Sequence, residues 1–164
     1  MNKKIINKKG FTLIELLAVI SILAIIAVIA TPNIITLVDN SKKQEFISDA
    51  SSFASKALYK YKFEKYDNLF TENNNCKTIT LRNIGLEEKT DPDGNNYDLD
   101  NSIIKICEEE NNGLKEKVSY ILLKSTTTET DKRVRGIFDN NSSDKTVNVD
   151  SLGTKDVLDL KDLK

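Results

Sequence analysis

Few residues in this chain are of a type and spacing that could do chemistry. The 164 residues include no histidine, which removes the commonest general base and zinc ligand and with them Ser–His–Asp, Cys–His and His-bearing zinc arrangements. A carboxylate, Glu15, stands inside an apolar run where a buried charge is costly. The two cysteines, Cys76 and Cys107, are compatible with a disulfide or with two buried reduced thiols. Oxygen donors crowd the stretch Asp91-Pro92-Asp93-Gly94-Asn95-Asn96-Tyr97-Asp98-Leu99-Asp100. Its Asp91, Asp93, Asp98 and Asp100 are calcium candidates by donor type alone. EF-hand spacing fails, because Gly94 is fourth rather than sixth from Asp91, and the favoured reading is a solvated β-turn with no metal. Lys132, Arg133 and Arg135 form a compact basic group, read as the solvated face of a strand because no aromatics interleave with it.

The elements that must position these residues divide the chain unevenly. From Phe11 to Ala30, 17 of 20 residues are apolar, interrupted by Thr12, Glu15 and Ser21. As a helix this segment rises about 30 Å, the hydrocarbon thickness of a bilayer. Lys3, Lys4, Lys8 and Lys9 precede it, and such a cluster keeps the amino terminus cytoplasmic and directs the following chain outward. An ordinary secretory signal has the same outline, with Val28-Ile29-Ala30 as its cleavage site. A carboxylate at position 15 and a glycine at position 10 are not explained by that outline.

The basic leader ending in Gly10, the sequence Phe11-Thr12-Leu13-Ile14-Glu15-Leu16-Leu17, the apolar run to Ala30 and Thr31-Pro32 together resemble the signal of type IV prepilins and of the pseudopilins of type II secretion and competence systems. The resemblance implies cleavage by prepilin peptidase between Gly10 and Phe11, N-methylation of Phe11, and a role for Glu15 in assembly. In that role Glu15 pairs with the amine of Phe11 on its own or a neighbouring subunit; the alternative is a carboxylate that snorkels to the interface. Loss of the leader would leave 20 cationic and 25 acidic side chains, a formal −5. Direct nucleic-acid binding is therefore not expected.

Pro32 should kink or locally melt the helix. Beyond it Ile35, Val38, Phe46, Ala50, Phe53, Ala57 and Tyr61 recur at three- and four-residue steps, predicting an amphipathic continuation to about Tyr66. Strands are expected at 78–81, 103–107, 118–123, 133–138 and 146–149, with turns at Asn111-Asn112-Gly113 and Asn140-Asn141. The tail from Asp156 could be a short helix or a last edge. The expected fold is α+β: a long N-terminal helix, half membrane or filament core and half amphipathic, packed on an antiparallel β-sheet head, as in pilins. The expected divisions are a cleaved leader at 1–10, a transmembrane or filament-core helix at 11–31, an amphipathic helix at 32–66 and a β-rich head at 67–164. The Asp-Pro loop is also similar to the one preceding the sheet in major pseudopilins, with Asp93 in place of an aromatic and Asn96 in place of proline.

The resemblance implies a structural subunit of a type IV pilus or of a secretion or competence pseudopilus, without catalysis or cofactor. Its partners would be further copies, other pilins, the prepilin peptidase/methyltransferase, the pilus or secretion assembly machinery and the cytoplasmic membrane. The head would lie outside the membrane, on a filament at the cell surface or across the periplasm or cell wall. Other readings of the sequence are a minor pilin with a ligand- or DNA-binding head, and a secreted or membrane-anchored protein with an ordinary signal.

Overall fold

A computed structural model describes residues 11–63, 71–73, 75–111, 113–127 and 133–163. The expected leader at 1–10 with Gly10, positions 64–66 at the expected helix end, Asn112 of an expected turn and Lys132 lie outside the described residues. The chain divides into two compact units between Asp39 and Asn40, within one continuous helix, α1 (Leu13–Phe63).

In the first unit α1 leaves its large apolar side chains, from Leu13 to Val38, exposed. The hydroxyls in this stretch are turned back onto the helix. Ser21 donates to the Leu17 carbonyl at 2.8 Å, Thr31 to Ala27 at 2.6 Å and Thr36 to Pro32 at 3.1 Å. Such back-bonding removes free donors from a surface made for an apolar medium. The helix is long and apolar enough to cross a membrane. Of the kink or local melting expected at Pro32, the melting does not occur, for the helical backbone runs through it unbroken. One missing N–H is tolerated within a helix whose remaining ladder is intact on both sides.

In the second unit the helix is amphipathic. Phe46, Ala50, Phe53 and Ala57 are buried, and the alanines allow close approach to a sheet. Ile35 and Val38, expected on this face, are exposed and belong to the first unit. Eight antiparallel strands occur among the described residues: β1 (Thr71–Asn73), β2 (Cys76–Thr80), β3 (Asn96–Tyr97), β4 (Ile103–Asn111), β5 (Leu114–Thr126), β6 (Arg135–Ile137), β7 (Val147–Asn148) and β8 (Val157–Asp159). Their order is β1-β2-β4-β5-β6-β8, with β3 and β7 also pairing with β5. The fold is α+β, a long N-terminal helix packed on an antiparallel sheet in the pilin manner.

Register aligns the core. Ile79 pairs with Ile104, Ile104 with Ile121 and Ile121 with Val147, a row of branched residues across four strands. Phe46, Ala50, Phe53 and Ala57 of α1 belong to the same core cluster as Ile79, Ile104 and Ile121. At Gly136 of β6 a Cβ would stand 2.4 Å from the Leu123 carbonyl oxygen of β5. The β5–β6 pairing thus requires glycine there.

The short β1 and β3 were not expected from the sequence. The tail combines both of its readings, with 3-10 turns at Thr154–Asp156 and Leu160–Asp162 flanking β8.

Candidate functional site

Two regions hold the residues singled out for chemistry. The first is the start of α1. Glu15 Oε2 accepts hydrogen bonds from the Thr12 backbone N–H and from Thr12 Oγ1, both at 2.8 Å, and the Glu15 N–H donates to Thr12 Oγ1 at 3.3 Å. This is a reciprocal capping box: two donors at the helix start are satisfied where an apolar medium would not satisfy them. A carboxylate in the first turn also complements the helix dipole. The arrangement holds Glu15 next to Thr12, one residue from Phe11. Thr12 is the residue that the sequence reading missed; the spacing Thr-x-x-Glu ahead of an apolar run was its signal.

The second region is the loop from Lys89 to Asn101, fastened to α1 and to β6. Asp91 folds the loop on itself: its Oδ1 accepts from the N–H groups of Asp93 and Asn95 at 2.8 Å, and its carbonyl from the N–H of Gly94 at 2.9 Å. Gly94 supplies the positive φ of 83° that this turn needs. Buried Asn95 donates from Nδ2 to the Arg133 carbonyl at 2.9 Å. Tyr97 inserts edge-on between Phe46 and Phe53, at centroid distances of 5.8 and 5.4 Å, and its hydroxyl donates to Asp49 at 2.8 Å. Lys89 pairs with the same carboxylate. Burial, with Asp49 adding to it, pushes the Tyr97 hydroxyl far above its usual range.

Asp93 is the centre of this fastening. Its carboxylate is 3.1 Å from Lys42 Nζ and 2.8 Å from Arg135 Nε, and the side chains of Asp93 and Arg135 are only 8% and 4% exposed. The Arg135 contact is an ion pair by distance but is not aligned as a hydrogen bond. This corrects the expectation of a solvated basic face. Arg135 is buried because β6 runs beneath the loop and Asp93 supplies its counter-charge, while exposed Arg133 pairs with Asp159 at 2.5 Å.

The four calcium candidates do not converge. Asp91 is held by its own turn, and Asp93 by Lys42 and Arg135. Asp98 accepts from Asn101 N at 3.0 Å and Asn101 Nδ2 at 2.9 Å, and Asp100 takes Arg82 in a two-pronged contact at 2.5 and 2.7 Å. Among the described residues no cluster of three or more acidic or cysteine side chains is placed to hold a metal ion.

Cys76 of β2 and Cys107 of β4 sit opposite each other in the ladder and are joined by a disulfide with an S–S distance of 2.06 Å.

No curated protein and no solved structure matched the chain. A family described as the prokaryotic N-terminal methylation motif matches residues 6–31, which include Gly10, Phe11, Thr12 and Glu15. The match points to a structural, pilin-like protein, implies processing by a prepilin peptidase and assembly with other pilins, and fits a membrane-anchored protein with an extracellular head. With its apolar helix start closed by the Thr12–Glu15 box, the chain carries at residues 6–31 the signal of type IV pilins and pseudopilins.

Proposed function

We propose that the protein is a structural subunit of a type IV pilus or of a type II secretion or competence pseudopilus. It enters the cytoplasmic membrane through the apolar part of α1, is cut between Gly10 and Phe11, is methylated at Phe11, and assembles with further copies through the same helix. The observation that carries this reading is the methylation motif set on a helix whose large apolar side chains from Leu13 to Val38 are exposed. A soluble protein does not leave so long an apolar surface uncovered; a bilayer or a bundle of identical helices covers it. The amine released at Phe11 would be cationic, and Glu15, held by Thr12 one residue away, would be its anionic partner within or between subunits.

The deciding experiment is the amino-terminal mass of purified mature protein. A chain beginning at methylated Phe11 and retaining the apolar helix is the expected result. A mature terminus at Thr31 would establish an ordinary secretory signal instead.

A further inference from the structure

The last turns of α1 carry a surface that neither the core nor the membrane segment uses. From Ser52 to Phe63 the helix bears Lys56, whose Nζ donates to the Gly85 carbonyl at 3.3 Å, Lys60 and Lys62, and no acidic residue before Glu64. On the side away from buried Phe53 and Ala57, Tyr59 and Phe63 lie one turn apart with ring centroids 5.0 Å from each other. The two rings are 59% and 71% exposed. An exposed aromatic pair with Lys56 and Lys62 each three positions from Tyr59 along the helix is a docking surface for something anionic with an apolar tip.

The same molecule presents such a shape. The β4–β5 hairpin, from Glu108 to Lys117, carries Glu108, Glu109, Glu110 and Glu116 against Lys115 and Lys117, and its turn ends in Leu114, 67% exposed. Glu109, which accepts from the Tyr120 hydroxyl, and Glu116 face each other across the ladder, a like-charge pair that a cation beside Glu116 would ease. The hairpin base is fixed to the other flank of α1: Lys117 lies over the Tyr61 ring at 4.2 Å, and the Tyr61 hydroxyl donates to Glu108 at 3.4 Å. Both surfaces are thereby preorganised, which lowers the cost of docking.

Resting on the subunit reading above, we infer that the Tyr59–Phe63 ring pair and its lysines receive the Leu114-tipped hairpin of a second copy. Because the two surfaces differ, the contact is heterologous: each copy offers a hairpin to one neighbour and a ring pair to another, so the contact propagates along a polymer.

The test is charge exchange in the full-length protein, expressed in cells that assemble it, reading subunit in sheared filaments against the membrane pool. Lys56→Glu with Lys62→Glu should lower filament incorporation about tenfold, and so should Glu110→Lys with Glu116→Lys. The four-site variant, with complementarity restored in reverse, should recover most of the wild-type yield. A protease-resistant head in each variant, with the Cys76–Cys107 disulfide formed, reports that the head is folded. Unchanged yield in either two-site variant, or no recovery in the four-site variant, overturns the inference. Filaments unaffected by Lys56→Glu with Lys62→Glu, together with loss of binding to a single-stranded oligonucleotide, would overturn it in favour of nucleic acid on the ring pair. Failure of the subunit reading looks different: wild-type protein would itself be uncut at Gly10 and absent from filaments, and the inference would fall with it.

Discussion

Asp93 decides what holds the Lys89–Asn101 loop down. An aromatic would anchor by apolar area; Asp93 anchors by charge, to Lys42 of α1 and to buried Arg135 of β6. Breaking a buried pair from one side costs more than replacing both partners, because the buried Arg135 guanidinium then loses the carboxylate 2.8 Å from its Nε. Asp93→Ala should therefore destabilise the head by about 3–5 kcal/mol. Asp93→Leu combined with Arg135→Met should cost clearly less, and denaturant midpoints of the detergent-solubilised chain compare the two. Asp144 makes a second test. Burial alone would raise its pKa, but hydrogen bonds from Lys105, Thr146 and Ser142 outweigh it and hold the carboxyl well below the usual range. A depressed carboxyl contributes stability that is present above its unfolded value, about 4, and lost as pH falls through the folded value. Asp144→Asn should flatten the acid limb of a stability–pH curve below about pH 4 while leaving its slope near neutrality unchanged.

At the scale of elements, legibility followed the strength of the local pattern. The helix could be read because its apolar run and then its three- and four-residue steps persist over many turns, and β4 and β5 because Ile103–Cys107 and Val118–Leu123 are rich in branched apolar residues. Thr71–Asn73 and Asn96–Tyr97 could not be read, since two or three mostly polar residues become strands only through the partners that β2 and β5 provide. Arg135 was misread for a related reason: its burial is decided by Asp93, 42 positions away in sequence, and no periodicity encodes that meeting. The capping box is legible at Thr12 and Glu15 as Thr-x-x-Glu ahead of an apolar run, because both of its partners lie within one helical turn. Gly136 gives an element-scale prediction. Gly136→Ala places a methyl group against the Leu123 carbonyl and must spread β5 from β6, at a cost of about 1–3 kcal/mol, visible as a lower thermal midpoint. Cys76→Ser with Cys107→Ser should lower stability by roughly 3–4 kcal/mol through the entropy of a loop of about 30 residues.

For the whole molecule the question is whether Glu15 serves its own helix or the polymer, and the capping box makes the two roles separable. Glutamine at the third helical position can accept the same hydrogen bonds from Thr12, so Glu15→Gln preserves the box and removes only the charge. Leucine removes both. Membrane insertion should survive either change or improve slightly, because a neutral or apolar side chain is easier to bury than a carboxylate. If Glu15 pairs with the amine of Phe11 during assembly, Glu15→Gln should lose filament incorporation nearly as fully as Glu15→Leu. If it only caps α1, Glu15→Gln should assemble normally, while Glu15→Leu and Thr12→Val share a common defect. The measurement is subunit in sheared filaments against the membrane pool, with cleavage at Gly10 followed separately so that a processing defect is not counted as an assembly one. We expect the first pattern, because a helix cap is worth about 1 kcal/mol and a long apolar helix tolerates its loss, whereas an uncompensated amine inside a bundle of apolar helices is far more costly. Normal filament yield from fully processed Glu15→Gln protein would remove the pairing and leave Thr12 and Glu15 as the cap of a membrane helix.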